Sequence, residues 1–583
     1  MKHPIQQMMD QRREGKICGI ESVCSANGFV LEVALKRSKL FNAPVLIEAT
    51  ANQVNQFGGY TGMYPKDFYE MVLKMAAEIG VPENHIILGG DHLGPLTWQK
   101  LPESEAMENS VELVYQYARA GFTKIHLDTS MKVADDPEGL LQTEVIARRG
   151  AKLYKAAMKG YEELKAEKPD AMRPVFVIGM DSRMSSDMLA MACAAGLCSV
   201  GADVIMLGLV PTPAVAYLVG KYKADAGIMI SASHNPAEFN GIKMFSGEGM
   251  KLPDELEERI ENYAHGEIDP PATAAPEAIG KVTYMGEQVV KDYVDHLVST
   301  VPYSLEGLNI AVDCANGSAS RTAGRLFAAL GANTHMLFDQ PDGLNINCDC
   351  GSTHLDNLKA YVREHGLDAG VAFDGDADRC LMVDENGNEI DGDRLMAICA
   401  LDMKSRGKLN KNTVVGTIMT NLGFIKFCER EGIRFIATKV GDRFVMEEML
   451  LEGYSFGGEQ SGHLIFRDFA STGDGELTAI QVLSLMRREG RKLSELASVM
   501  TRYPQVMINV RVSADGKLLF YTDPEVKRAI DEAKRELGKE GRIVARISGT
   551  EPLIRVMVEG QDDAQIRAVA ERVAGVVRER LGE

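Results

Sequence analysis

Short apolar runs alternate with amphipathic stretches along most of this chain. In the first part, the runs at 17–24, 44–49, 85–90 and 124–128 are typical of buried parallel strands, and a helical pattern follows each of them. The clearest helix is predicted over 65–79, because a proline stands at its first position and its apolar residues fall on one side. The pattern therefore predicts alternating β and α elements.

A second series of strands follows a long, charged helical stretch over 142–168. Its members are Val175–Gly179 and the runs at 203–208, 226–230, 309–313, 369–373, 413–417 and 433–437. The tail differs, because strands at 506–512 and 553–559 and helices near 524–537 and 562–580 predict a small α+β domain. We therefore predict an α/β protein with an α+β domain at its end.

Length and composition set the class of protein. The 583 residues exceed what one hydrophobic core usually serves, so three to five domains are expected. The net charge of −19 argues against general affinity for nucleic acid or for anionic membranes. The chain has no run of about 18 apolar residues for a membrane span, and its N-terminus lacks the apolar core of a signal peptide. Ten cysteines without zinc-finger spacing predict reduced thiols in a cytoplasmic protein.

The first candidate for chemistry is a serine in the run Ile230–Pro236. Ser233 stands between small residues, on a loop that the Asn-Pro pair prevents from becoming a helix. A hydroxyl that is held out in this way can carry a phosphoryl group. Taken alone, such a run is often only a turn.

The second candidate is the run Asp374–Arg379, in which three carboxylates stand at alternate positions. Asp374, Asp376 and Asp378 could form a cage of oxygen ligands for a hard cation. Taken alone, such a run is often a solvated calcium loop. A phosphoserine beside a bound metal ion could pass a phosphoryl group to and from a substrate, so the two runs together point to phosphoryl transfer.

Two further motifs lie towards the C-terminus, Gly457–His463 and Arg546–Pro552 followed by Leu553-Ile554-Arg555. Together with Lys439–Arg443 and the two runs above, they resemble motifs of the phosphohexomutases, and the resemblance is collinear from about residue 174 to the end. Gln460 favours the glucosamine branch of that family over the mannose and glucose branches, which remain alternatives.

The resemblance implies four mutase domains. They are expected at 173–301 with the phosphoserine, 302–394 with the metal loop, 395–503 with the sugar-binding loop and 504–583 with the phosphate-binding loop. The first three would be α/β domains with mixed sheets, and the last would be α+β. The opening Gly-Thr-Asp-Gly-x-Arg-Gly segment of the family is not found here, so domain 1 is expected to lack its first strand and activity to be reduced.

The resemblance also implies residue roles. Ser233 would carry the phosphoryl group, and its phosphate with Asp374, Asp376 and Asp378 would hold Mg²⁺, while a sugar 1,6-bisphosphate would serve as intermediate and activator. Lys243 would transfer a proton with His234 as its partner, or would only pair with phosphate, and Arg183 and Arg379 would balance phosphate charge. The residues expected to bind the phosphosugar are Lys439, Gly441, Asp442, Arg443, Glu459, Ser461, His463, Arg546, Ser548, Gly549, Thr550 and Arg555.

Residues 1 to about 172 resemble a different family, the non-catalytic subunit of class II tagatose-bisphosphate aldolase. The matching stretches are Gly19–Ala26, Glu48–Gly62, Gly89–Pro95 and His126–Asp128. That family builds a barrel of eight βα units, and only about four fit here, so a partial barrel is expected. Asp91-His92 and His126 with Asp128 stand where a barrel enzyme places catalytic groups, but an inactive structural appendage is the favoured interpretation.

Two hypotheses follow for the whole chain. The first is a Mg²⁺-dependent phosphoserine mutase that carries an appendage. The second is a stabilising or phosphosugar-binding partner of an aldolase, whose mutase part is inert. A homodimer and an aldolase catalytic subunit bound through residues 1–172 are the protein partners considered.

Overall fold

A computed structural model describes residues 4–13, 18–82, 85–167, 173–252, 254–268, 271–548 and 551–582. The chain divides into two compact units, residues 1–172 and residues 173–583. Each unit buries its own apolar clusters. None of the helices in the described ranges combines the length and the apolar composition that a membrane span requires.

The first unit is built from parallel strands that alternate with helices. Its strands β1 (Glu21–Cys24), β2 (Val45–Thr50), β3 (Ile86–Leu93) and β4 (Lys124–Leu127) form one parallel sheet in chain order. Its helices are α1 (Pro4–Arg13), α2 (Gly28–Phe41), α3 (Pro65–Ile79), α4 (Glu103–Ala120) and α5 (Thr143–Glu167). The predicted helix over 65–79 is confirmed as α3. The four βα units are present, and closure into part of a barrel stays a prediction.

The second unit contains four sheets, and we call the parts that hold them domains 1 to 4. In domain 1 the strand order is β8-β7-β5-β6-β9, and only β8 runs antiparallel to its neighbour. Its elements are β5 (Val175–Met180), α6 (Met184–Ser199), β6 (Asp203–Leu209), α7 (Thr212–Tyr222), β7 (Ala226–Ile230), β8 (Ile242–Ser246), α8 (Asp254–Ala264), β9 (Val282–Tyr284) and α9 (Glu287–Ser299).

Domains 2 and 3 also have mixed sheets, with strand orders β11-β10-β12-β13-β14 and β16-β15-β17-β18. Domain 2 consists of β10 (Asn309–Asp313), α10 (Ala323–Ala329), β11 (Asn333–Leu337), α11 (Asp356–His365), β12 (Ala369–Phe373), β13 (Cys380–Asp384) and β14 (Glu389–Ile390). Domain 3 consists of α12 (Gly392–Ser405), β15 (Thr413–Thr417), α13 (Leu422–Glu431), β16 (Arg434–Thr438), α14 (Asp442–Glu452), β17 (Phe456–Gly458), β18 (Leu464–Phe466), α15 (Gly475–Glu489) and α16 (Leu493–Ala497).

Domain 4 is the predicted α+β domain. Its antiparallel sheet has the order β19-β21-β20. Its elements are β19 (Gln505–Arg511), α17 (Ala514–Leu519), α18 (Pro524–Leu537), β20 (Gly541–Ile547), β21 (Leu553–Gly560) and α19 (Asp563–Leu581). One apolar cluster runs through domains 1, 2 and 3, whereas domain 4 buries a cluster of its own.

The four sequence motifs occupy equivalent places in the four domains. Each motif lies in the loop between two adjacent antiparallel strands, namely β7–β8, β12–β13, β17–β18 and β20–β21. Paired strands hold both ends of each loop, so its side chains are presented from a rigid base.

Candidate active site

The serine loop after β7 has a fixed backbone. Ser233 has a φ of +51°, in the left-handed region that non-glycine residues rarely occupy. Its N–H donates to the Ser231 hydroxyl at 2.9 Å, and its carbonyl oxygen accepts hydrogen bonds of 2.9 Å from both Arg183 and Asn347. The hydroxyl donates to Asp374 Oδ2 at 2.6 Å. The backbone is therefore held so that the hydroxyl faces the carboxylates of domain 2.

Arg183 holds the backbone of this loop through hydrogen bonds to its carbonyl oxygens. Its guanidinium donates to the carbonyl oxygens of Ser233 (2.9 Å), Asn235 (2.8 Å), Phe239 (2.8 Å) and Pro236. Its Nε donates to Asp181 Oδ2 at 2.8 Å, and both side chains are fully buried. Because its donors are used in these contacts, Arg183 has a positioning role. The predicted balancing of phosphate charge by Arg183 stays a prediction.

The carboxylates of domain 2 form a compact acidic cluster. Asp374, Asp376 and Asp378 are all buried, and their nearest ligand atoms lie within 4.8 Å of one another. The Oδ1 atoms of Asp376 and Asp378 are buried and accept no hydrogen bond. Buried carboxylate oxygens without donors are costly unless a cation satisfies them, so this site fits a hard divalent cation.

Two cations flank the acidic cluster. Lys243 Nζ contacts Asp376 Oδ2 directly and lies 3.8 Å from Asp378 Oδ2. Burial opposes the charge of the ammonium group, but the nearby carboxylates outweigh burial and raise the pKa of Lys243. Burial likewise opposes the charge of Arg379, and Asp374 and its neighbours raise the pKa of that guanidinium. Both side chains therefore carry positive charge beside the serine.

His234 follows the serine and is exposed to solvent. Its Nδ1 lies 3.3 Å from Nη1 of Arg379. The surrounding protein partly desolvates the ring, and this desolvation, followed by the charge of Arg379, lowers the pKa of His234, so the neutral imidazole is favoured. The observed neighbour of His234 is thus Arg379, while the predicted partnership with Lys243 stays a prediction.

The predicted sugar-binding motif after β17 is hydrogen-bonded to the loop that precedes α14. Glu459 Oε1 accepts the Gly441 N–H at 3.0 Å, and Ser461 is exposed. His463 is only 3% exposed, with Nδ1 3.6 Å from Asp378 Oδ2 and Nε2 3.4 Å from Asp442 Oδ2. It lies between two carboxylates and is closed off from solvent, and its predicted contact with the sugar stays a prediction.

The remaining predicted residues of domain 3 lie near the hydrogen bond between Glu459 and Gly441. Lys439 is exposed, and its ammonium group lies 5.6 Å from the centre of the Phe444 ring. Asp442 pairs with Lys251 at 2.5 Å, and Arg443 pairs with Glu447 at 2.9 Å. The contact of Asp442 with Lys251 connects domain 3 to domain 1.

The phosphate-binding motif of domain 4 presents two arginines side by side. Arg546 on β20 and Arg555 on β21 are directly paired in the sheet, and the Nε atom of each is buried without a hydrogen-bond acceptor. Burial and the adjacent Arg555 lower the pKa of Arg546. Unused donors in two adjacent guanidinium groups suit an anion such as phosphate. Arg555 also contacts Glu551 at 2.5 Å.

Ser548 is buried between these strands, and its carbonyl oxygen accepts a hydrogen bond from Lys517 at 2.9 Å. The Ser548 hydroxyl accepts the Glu551 N–H at 3.4 Å. The predicted phosphate ligands Gly549 and Thr550 lie outside the described residues.

Three residues that sequence reasoning missed also build the site. Asp181 accepts the Ser231 hydroxyl at 2.7 Å, Asn347 donates to the Ser233 carbonyl at 2.9 Å, and Thr212 donates to Asp376 at 2.5 Å. Asp181 stands two residues before Arg183, and this Asp-x-Arg spacing could have identified it. Asn347 and Thr212 carry no such local signal.

Comparisons with known proteins agree with this geometry. Family models of phosphoglucomutase/phosphomannomutase match all four domains, with domain I at 150–269, domain II at 291–387, domain III at 391–503 and the C-terminal domain at 507–576. A phosphoglucosamine mutase of Thermoanaerobacter is 51% identical over 409 residues, which cover 70% of this chain and 91% of the relative. The chain belongs to the phosphohexomutase family.

Other phosphohexomutases extend the comparison. The phosphoglucosamine mutase of Acetivibrio thermocellus is 48% identical over 448 residues, or 77% of this chain and 98% of the relative. A phosphoglucomutase/phosphomannomutase family protein from Burkholderia thailandensis shares the fold with a TM-score of 0.60 at 24% identity, over 70% of this chain and 89% of its own. The N-acetylphosphoglucosamine mutase of Aspergillus fumigatus, solved with GlcNAc-6P and magnesium, has a TM-score of 0.52 at 21% identity, over 63% of this chain and 92% of its own.

The first unit matches a separate family. Residues 5–185 match the family model described as D-tagatose-1,6-bisphosphate aldolase subunit GatZ/KbaZ-like. This match overlaps the start of mutase domain I over residues 150–185. The overlap includes most of α5 and all of β5, and the border predicted near residue 172 stays a prediction.

Proposed function

We propose that this chain is a phosphoglucosamine mutase, which interconverts glucosamine 6-phosphate and glucosamine 1-phosphate through a phosphorylated Ser233. One observation carries the proposal: the Ser233 hydroxyl, on a backbone fixed by Arg183 and Asn347, lies 2.6 Å from the carboxylate of Asp374. The relatives at about 50% identity support the glucosamine substrate.

The acidic cluster fits Mg²⁺, with Asp374, Asp376, Asp378 and a phosphate oxygen on Ser233 as ligands. The ion would supply a positive charge that stabilises the phosphoryl group during transfer. The two buried Oδ1 atoms without donors support this assignment. Among the side chains, Arg379 is charged beside the same carboxylates and would pair with phosphate oxygens.

In the first step, the bond between phosphorus and the Ser233 Oγ breaks and a bond to a hydroxyl oxygen of the monophosphate forms, which gives a sugar bisphosphate. The proton of that sugar hydroxyl passes to the serine oxygen, and Lys243 is the group proposed to exchange it, with His234 nearby. The bisphosphate then returns its other phosphate to Ser233, so a sugar 1,6-bisphosphate is both intermediate and activator.

The sugar binds in two orientations during this cycle, so its contacts must be common to both. Glu459 and Ser461 are proposed to hold sugar hydroxyls, with Lys439, Gly441, Asp442 and Arg443 forming the adjoining wall. Arg546, Ser548, Gly549, Thr550 and Arg555 are proposed to bind the phosphate that is not reacting, because the guanidinium groups of Arg546 and Arg555 keep donors free for it.

The test is phosphorylation and turnover of the full chain. Ser233→Ala should lose the added phosphate in the intact mass and should lose turnover by at least about 1,000-fold, because the proposed cycle passes through a phosphoryl group on Ser233. Ser405→Ala, at the exposed last residue of helix α12 in domain 3, is the matched control. Undiminished turnover in Ser233→Ala would reject the phosphoserine, and faster turnover of mannose or glucose phosphates would reject the glucosamine assignment.

We further propose a cytoplasmic enzyme, which the ten free thiols support. A homodimer remains a proposal. An aldolase partner of residues 1–172 remains a weaker one, and complete absence of mutase turnover in the phosphorylated chain would favour it.

A further inference from the structure

A cluster of metal-ligating side chains lies in the first unit and takes no part in the mutase chemistry. Asp91, His92 and His126 offer ligand atoms that all lie within 4.8 Å of one another. Nδ1 of His126 is 2.8 Å from Asp91 Oδ1, and Nδ1 of His92 is 3.1 Å from Asp91 Oδ2. Both imidazoles therefore converge on the two oxygens of one carboxylate.

The backbone brings these side chains together by an irregularity in β3. In a regular strand Asp91 and His92 would point to opposite faces. Here the pairing of β3 with β4 shifts register between Gly90 and Leu93, and His92 has a φ of +50°. A left-handed residue inside a strand is a strained conformation, and such strain concentrates at ligand sites.

The cluster also occupies the end of the sheet where ligands bind in α/β proteins. Asp91 and His92 stand near the carboxyl end of β3, and His126 stands in the neighbouring parallel strand β4. Cys24, the last residue of β1, has its thiol 3.6 Å from Asp91 Oδ2. The carboxyl ends of parallel strands form the usual ligand-binding edge of such a sheet.

Lys124 could compete with a metal ion for the Asp91 carboxylate, but it is paired with Glu48. Lys124 Nζ lies 3.7 Å from Asp91 Oδ1, but it contacts Glu48 more closely. Glu48 is buried, and it also accepts the Ser22 hydroxyl at 2.5 Å. The lysine charge is thus balanced by Glu48, and the Asp91 carboxylate remains shared between two imidazoles.

We propose that Asp91, His92 and His126 form a binding site for a divalent transition-metal ion of the zinc class. Two imidazoles and one carboxylate are a ligand set that such ions prefer. Tetrahedral zinc with ligand distances of about 2.0–2.1 Å separates its ligand atoms by roughly 3.3 Å, close to the two contacts observed here. Three protein ligands leave a fourth position open for water or for an oxygen of a small ligand.

The test measures zinc binding to the full chain in which Asp376→Asn removes the mutase metal site. Titration calorimetry and elemental analysis after dialysis should find a zinc ion that the further change His92→Asn with His126→Gln removes. Affinity should fall at least about tenfold, since even residues that only orient a metal ligand cost that much. Asn is chosen at position 92 because it tolerates a positive φ.

His85→Gln is the matched control, because His85 belongs to the same unit and precedes β3 at the opposite end of the strand. It should retain the zinc ion. If the Asp376→Asn chain binds no zinc at about 100 μM, or if the double change leaves stoichiometry and affinity unaltered, the proposal is overturned. Should the double variant unfold, Asp91→Asn provides the same comparison, and retention of the zinc ion by that variant also overturns the proposal.

Discussion

Asp181 provides the sharpest test of how the serine loop is positioned. Its carboxylate is 2% exposed and accepts hydrogen bonds from Arg183 Nε (2.8 Å), Ser186 (2.8 Å) and Ser231 (2.7 Å). Arg183 in turn holds four carbonyl oxygens of the loop. Asp181→Asn keeps the shape of the side chain but removes the negative charge and puts an N–H₂ group against these donors.

Two effects of known size follow. Breaking a buried ion pair by removing one partner costs about 3–5 kcal/mol, so the free energy of unfolding should fall by that order. If the loop moves by about 1 Å, turnover should fall on the order of 100-fold. The loss should appear in kcat and leave KM for glucosamine 6-phosphate nearly unchanged, because the proposed sugar and phosphate contacts lie in domains 3 and 4.

The assay combines urea unfolding with steady-state turnover at a temperature where the variant is folded. Asp187→Asn is the control, because Asp187 is an exposed residue on the same helix α6. Arg183→Lys should reproduce the loss of kcat, since an ammonium group cannot reach all these acceptors. If Asp181→Asn keeps both full kcat and wild-type stability, Asp181 and Arg183 do not position the serine.

Three further predictions concern other parts of the chain. Arg555→Ala should raise KM for glucosamine 6-phosphate about tenfold or more, with a smaller effect on kcat. The control Arg528→Ala, on the exposed face of α18, should leave KM unchanged. An unchanged KM in Arg555→Ala would exclude the β20–β21 loop from substrate binding. Chelation of divalent ions should abolish turnover, and added Mg²⁺ should restore it in the wild type but should not restore it in Asp376→Asn. Full turnover in the chelated wild type would disprove the metal assignment. Burial raises the pKa of Asp313 from 3.8 to about 6, so the folded state holds this proton more tightly than the unfolded state does. The wild type should therefore lose stability relative to Asp313→Asn as pH rises from 3.8 through 6, by about 3 kcal/mol at most, and parallel stability curves in urea would contradict the shift.

Local pattern predicted the regular elements well. Helices α3 and α18 have the bounds expected from their apolar spacing, and α19 runs from Asp563 to Leu581 where a helix near 562–580 was expected. The strand over 17–24 was predicted too long, because β1 pairs with β2 only from Glu21 to Cys24. Eight strands of the described residues were not predicted, namely β8, β9, β11, β13, β14, β17, β18 and β20. Of these, β9 is exposed throughout and β14 has two residues, so neither has an apolar run.

The site shows the same division between local and distant information. The serine, the three aspartates and the arginines of domain 4 could be proposed from the sequence because each stands in a compact motif. Thr212 contacts Asp376 and Asn347 contacts Ser233, and these partners are 164 and 114 positions apart in the sequence. No local sequence pattern around Thr212 or Asn347 predicts these contacts. The sequence also singled out Arg183, but only the fold reveals that its donors point into the serine loop.

The distribution of the apolar clusters has a consequence for cooperativity. Domains 1, 2 and 3 share one continuous cluster, while domain 4 and the first unit each bury their own. A cavity opened beside Val177 of β5 should therefore disturb the β12–β13 and β17–β18 loops as well, because all three rest on the same packed interior. A cavity in domain 4 should stay local, so substitutions there should alter the β20–β21 loop while domains 1, 2 and 3 remain folded.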